Sequence, residues 1–172
     1  MPSQTLARLA CAALLALAAV TPATADGLPE PSGQVLLSVG GAIAVTNAPG
    51  EARFDRAMLE AMPVTGFETG TIWTDGRSSF AGVALSDLLA ALGAEGRVLR
   101  ATALNDYSVE IPAADAVPGG PIVAYHLDGA EMSVRDKGPL WIVYPYDSAA
   151  AYRSETIYSR SIWQLHRLDI LP

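Results

Sequence analysis

The side chains whose types could do chemistry gather in three short clusters, and none of the three contains a thiol. The first is Glu68-Thr69-Gly70-Thr71-Ile72-Trp73-Thr74-Asp75-Gly76-Arg77, where hydroxyls and an indole lie between glycines that let a ligand approach the backbone closely. The second is Arg135-Asp136-Lys137-Gly138-Pro139, two cations at a turn that would attract an anion. The third is Tyr144-Pro145-Tyr146-Asp147, followed by Tyr152, Arg153, Tyr158, Arg160 and Trp163, a mixture of amphipathic rings and guanidinium groups typical of binding rims. Each cluster also has a plain structural reading: a strand with its turn, a solvated loop, and an aromatic cap over a sheet core.

Other chemistries find little support. The two histidines, His126 and His166, have no ligand partner at helical spacing, and the carboxylates are scattered. No Ser stands in a G-x-S-x-G elbow. Gly119-Gly120-Pro121 reads as a turn, and Gly66-x3-Gly70 lacks the lysine of a phosphate loop. No catalytic residue and no metal ligand can be named from these patterns.

The elements that must position the clusters are mostly short strands. Val35–Val39 and Ala42–Thr46 flank Gly40-Gly41 as a hairpin or bend. Residues 54, 57, 58, 61 and 62 are apolar, the spacing of one helical face, and Pro63 stops that helix. Val64–Thr74 reads as a strand ending in the Asp75-Gly76 turn. Leu85, Leu88, Leu89 and Leu92 share a second helical face, with Gly93 where a C-cap glycine would stand. Hairpins are predicted about Asn105-Asp106 and Asp128-Gly129, and one helical turn over Pro112–Val117. Leu140–Tyr144 is a continuous apolar strand, and Ser161–Leu171 a long terminal strand. The pattern predicts an α+β fold, a single domain of mixed, mainly antiparallel sheet with a few short helices.

The first 25 residues read differently. Arg8 supplies a positive start, Leu9 to Val20 a 12-residue apolar run, and Ala23-Thr24-Ala25 a small-residue cleavage site. That run falls short of the roughly 20 apolar residues a spanning helix needs. The expectation is a signal peptide over 1–25, a flexible N-terminus over 26–34 and a domain over 35–172. Export points to the periplasm, with no stable membrane anchor after cleavage. The processed chain has 147 residues, a net charge of −8 and no cysteine, because Cys11 leaves with the signal. An acidic surface repels phosphate backbones, which argues against nucleic acid as a partner.

The order of segments resembles the oxidoreductase molybdopterin-binding domain family, the fold of the sulfite oxidases. Phe80-Ala81-Gly82-Val83-Ala84-Leu85 and Asp87-Leu88-Leu89 resemble its aromatic-x-Gly-x-x-Leu segment and helix. Asn105-Asp106-Tyr107 with Val109 to Pro112 resembles its Asp-Gly-Tyr and following strand. Ala124 to Gly129, Gly138-Pro139-Leu140, Val143-Tyr144-Pro145 and Arg160-Ser161-Ile162 follow in the family's order. Upstream, Val35 to Gly41 and Phe54 to Pro63 resemble its leading strand and helix.

The resemblance implies a molybdenum cofactor held by a cysteine, and here the chain departs. With Trp73 set on the family's tryptophan, Thr69 falls within a residue or two of the ligand cysteine's place. A neutral hydroxyl is a poor substitute for a soft thiolate. The expected function is therefore an exported ligand-binding, sensory or accessory module. The alternative is a molybdopterin-dependent oxidoreductase with Thr69, Thr71 or solvent in the ligand position, its pterin held near Thr69–Trp73, Lys137 and Arg160. A structural subunit of an envelope complex is the third reading. The predicted cleft comprises Thr69, Thr71, Trp73, Asp106, Tyr107, Lys137, Tyr144, Tyr146, Arg153 and Arg160, with aromatics supplying contact area and cations orienting a small anionic ligand or a periplasmic protein partner.

Overall fold

The computed structural model describes residues 27–172. The predicted signal peptide lies outside them. Strand β1 (Leu37–Gly41) pairs antiparallel with β2 (Glu51–Phe54), and helix α1 (Arg56–Glu60) leads to the long hairpin of β3 (Val64–Gly70) and β4 (Arg77–Ala84). Helix α2 (Leu85–Ala91) precedes a second hairpin, β5 (Val98–Ala103) and β6 (Ser108–Pro112). Strand β7 (Ile122–Leu127) turns into the two-residue β8 (Ala130–Glu131), then come β9 (Trp141–Val143), helix α3 (Glu155–Arg160) and β10 (Leu165–Leu171).

These strands make two five-stranded sheets, as a mixed, mainly antiparallel α+β domain requires. One has the order β2-β1-β10-β5-β6, with β1 and β10 its parallel pair. The other runs β3-β4-β7-β8, and β9 joins it on β7. Alternate residues of the strands face one shared core: Leu37 and Val39 from β1, Leu99 and Ala101 from β5, Leu168 and Ile170 from β10 are all buried. Leu85, Leu88 and Leu92 of α2 enter the same core, so the predicted apolar face of that helix is the one it buries.

Several elements differ from the sequence reading. Ala42–Thr46 is no strand: Ala42 donates its N–H to Ile170 and Ala44 donates to Leu92, and β2 takes the place beside β1. The helix before Pro63 covers only Arg56–Glu60, and the strand after it stops at Gly70, leaving Trp73 in a turn. Strand β4 was legible only as a motif, although it is the inner strand between β3 and β7. Helix α3 occupies residues read as an aromatic cluster, and Ser161–Gln164 precede the terminal strand without belonging to it.

Two sites hold the frame tightly. Gly82 sits at the irregularity where β4 shifts register against β7, and a Cβ there would overlap the Val123 carbonyl. Asp55 caps α1 through the Met58 N–H at 2.9 Å, and its second oxygen accepts from the Ser32 and Gly33 N–H groups at 2.7 and 2.8 Å. Residues 27–34, read as flexible, carry no helix or strand, yet this carboxylate ties their far end to the domain. The Met58 and Gly33 N–H bonds hold the Asp55 carboxyl below its ordinary value.

We expect Gly82→Ala to cost about 1–3 kcal/mol of stability in denaturant unfolding, the scale of overpacking a filled interior. A carboxyl depressed in the folded state stabilises above its unfolded pKa and loses that contribution as pH falls through its folded value. Asp55→Asn should therefore lower the neutral-pH Tm and flatten its decline below about pH 4 in thermal melts.

Candidate functional site

The site begins with the turn after β3. Thr71 Oγ1 accepts the Trp73 N–H at 3.0 Å and shares a 2.8 Å hydrogen bond with Thr74 Oγ1. Such a hydroxyl-to-backbone bond closes a turn locally and fixes the direction of Trp73. The indole then packs edge-on against four other rings: Trp163 at 5.5 Å, Trp141 and Tyr158 at 5.8 Å, and Tyr146 at 6.3 Å between centroids. Edge-to-face pairs of this kind each contribute roughly 0.5–1.5 kcal/mol beyond simple burial.

Two further elements bring walls to this cluster. The β5–β6 hairpin turns at Asp106, whose φ of 64° is left-handed, and presents Asn105 and Tyr107. Leu104 donates its N–H to the Gln164 carbonyl at 2.9 Å, fastening this hairpin beside Trp163. Helix α3 is capped by Ser154 and anchored by buried Ile157, which directs Tyr158 inward.

Together they enclose a cleft of about 460 Å³, the size of a small-ligand site. Its aromatic walls are Trp73, Tyr107, Tyr158 and Trp163. Ile72, Ile162 and Ala103 add apolar surface, while Asn105, Ser159 and Ser161 supply the polar groups. Ile72, Tyr107 and Trp163 of this lining leave large apolar side chains exposed.

Of the ten residues expected in a cleft, Trp73 and Tyr107 line this one. Asp106 is not in its lining but forms the turn between the lining residues Asn105 and Tyr107, and Thr71 holds Trp73. Tyr144 and Tyr146 are buried instead: Tyr144 donates to Asp115 Oδ2 at 2.7 Å and Tyr146 to Ser161 Oγ at 2.6 Å. Burial raises both phenols, Tyr146 to about 12, so they remain protonated and serve as fixed donors. Arg160 donates to the same Asp115 oxygen at 2.8 Å, so its charge is matched within the fold. Lys137 places its ammonium 5.8 Å from the Trp141 ring centroid. Arg153 is exposed on the loop before α3.

Thr69 is fully buried at the end of β3. Its oxygen accepts the Asp147 N–H at 3.1 Å and its hydroxyl donates to the Gly70 carbonyl. Asp147 in turn accepts from the Gly70 N–H and from Arg77, each at 2.8 Å. The cleft lining contains no Cys, His, Lys, Arg, Asp or Glu. These residues do not fit a molybdopterin centre: the Thr69 hydroxyl, which the resemblance sets near the cysteine's place, is committed to the protein, and a pterin phosphate would meet no cation in the cleft.

Tyr158, Ser161 and Trp163 join the site although they were not among those ten; Tyr158 and Trp163 were visible as members of the third aromatic cluster. Ile72 and Ile162 stood inside quoted segments without being singled out, and Ala103 carried no signal of its own. Away from the cleft, Glu60 and Glu131 come beside His126, with His126 Nε2 and Glu60 Oε1 3.8 Å apart. Arg56 already approaches Glu131 there, at 3.5 Å.

Removing the shared partner of Tyr144 and Arg160 should be costly. Asp115→Ala is expected to lower stability by about 2–3 kcal/mol in urea unfolding, because it orphans a buried hydroxyl and a half-buried cation. Arg153→Ala, at an exposed position, should stay within about 0.5 kcal/mol of the parent.

No protein-family model matches the sequence, and no curated protein matches it. Among solved structures the chain is similar to the sulfane dehydrogenase SoxCD from Paracoccus pantotrophus, with a TM-score of 0.59 and 19% identity over 78% of this chain. The match spans 37% of the SoxCD chain. That likeness shows the fold alone: a single α+β domain of mainly antiparallel sheets.

Proposed function

We propose that this chain is an exported binding module that uses an oxidoreductase-like fold without its metal chemistry, and that the aromatic cleft is its ligand site. One observation carries the reading: the concave surface is walled by Trp73, Tyr107, Tyr158 and Trp163 and has no charged side chain in its lining. Such a surface offers contact area and a few hydrogen bonds, which bind and orient a ligand. The commitment of Thr69 to Asp147 and Gly70 supports the same conclusion, since the position that would ligate a metal is used to hold a loop. A fold shared with an enzyme does not transmit the activity. The paired state of Arg160 and the apolar lining also speak against the small anion expected from the sequence. Export rests on Arg8, the apolar run Leu9–Val20 and Ala23-Thr24-Ala25.

Protein purified from its own host should contain no stoichiometric molybdenum by metal analysis and show no charge-transfer absorbance. A stoichiometric metal would overturn the reading. Mass spectrometry of the periplasmic fraction should find the chain starting at Asp26. A ligand screen read by tryptophan fluorescence should find quenching that Trp163→Ala weakens by roughly tenfold or more, with circular dichroism checking that the variant is folded, as expected for an aromatic anchor at a binding site.

A further inference from the structure

The angles between the rings of the cleft select among ligand shapes. Tyr158 is inclined at 90° to Trp73 and Trp163 at 70°, so these three walls meet as a corner instead of lying parallel. A flat ring binds best between parallel faces, where both of its sides are covered. A tetrahedral head with methyl groups on every side is better matched to a corner, because each wall meets a different group.

Charge points the same way. An aromatic face carries negative potential and attracts a cation without bonding it, an attraction strongest for ammonium groups that shed water easily. The lining contains no cation to repel such a group. The chain as a whole carries a net charge of −7, which raises the local concentration of cations. The aromatic cluster already hosts one ammonium, Lys137 over Trp141.

From these observations we infer that the cleft takes a small soluble organic cation with a methylated, quaternary ammonium head. This rests on the proposed role of the cleft as a ligand site. The polar edge formed by Asn105, Ser159 and Ser161 suits a hydroxyl or carbonyl on the remainder of the ligand, whereas the head lies among Trp73, Tyr158 and Trp163.

Calorimetric and fluorescence titrations of the mature protein with choline, tetramethylammonium and the neutral carbon analogue 3,3-dimethyl-1-butanol test this. Choline and tetramethylammonium should bind roughly tenfold or more tightly than the neutral analogue, which has the same shape without the charge. Trp163→Leu should lose that preference and Trp163→Phe should retain part of it. Tyr158→Leu, at the second wall of the head, provides the same test should Trp163→Leu fail to fold. Equal binding of choline and its neutral analogue would overturn the cation assignment and leave the cleft a ligand site. Absence of binding by all three, with no response to a wider ligand screen, would overturn both. Sedimentation with phosphatidylcholine vesicles should leave the protein in the supernatant; co-sedimentation through the cleft would place the headgroup on a membrane and overturn a soluble ligand.

Discussion

The seam between β9 and the segment that enters β10 is the contact on which the rest of the structure depends. Ile142 donates its N–H to Ile162 and Leu165 donates to Leu140, each at 2.9 Å, and Trp141 bridges to Trp163. Strand β9 belongs to one sheet and β10 is the central strand of the other, so these few backbone bonds join the two halves of the core. The same bonds set Trp141 and Trp163 side by side at 6.1 Å, and Trp73 closes over both. Buried backbone groups must be paired, so the seam cannot slip without leaving polar atoms unsatisfied. The cleft wall is therefore as rigid as the junction of the sheets.

Around that seam the polar side chains are mostly spent on the fold. Asp115 joins Tyr144 to Arg160, Ser161 joins Tyr146 to the carbonyl of Ile157, and Asp147 joins Thr69, Gly70 and Arg77. The Asp115 and Asp147 links connect elements far apart in sequence, and they use Tyr144, Arg160 and Thr69, groups that looked available for chemistry. What remains facing the cleft is aromatic and apolar surface with a few neutral polar groups. A buried Trp141 Nε1 without a partner is the exception among the described residues, and it lies on the ring that supports both Trp73 and Trp163.

The comparison with a dehydrogenase fold gains its meaning from this distribution. A sheet architecture can persist when the residues at its functional end change, because the core depends on alternating apolar positions and on glycines such as Gly82. The Thr69 hydroxyl places a demand for hydrogen bonding at the end of β3. The surrounding groups satisfy that demand completely.

Local chemistry was legible where it was also local in space. The apolar spacing of Leu85, Leu88 and Leu92 determined a helix and its buried face, and Asn105-Asp106 and Asp128-Gly129 determined turns because their backbones tolerate positive φ. Alternation and turn spacing were enough for an α+β class with mainly antiparallel pairing. The absence of cysteine from residues 27–172 was equally plain from composition. Only the tertiary structure decided which polar groups were free. Arg160 and Asp115 are 45 residues apart, and Thr69 and Asp147 are 78 apart, so no window of sequence contains either pair. Trp73, Tyr107 and Trp163 likewise meet through three loops from different parts of the chain. Sequence determined which side chains exist and which strands they ride on; the long-range pairing of β9 with the approach to β10 decided that the arginine is spoken for and the tryptophans form a cleft, because a charge or a ring acts through its nearest neighbours in space.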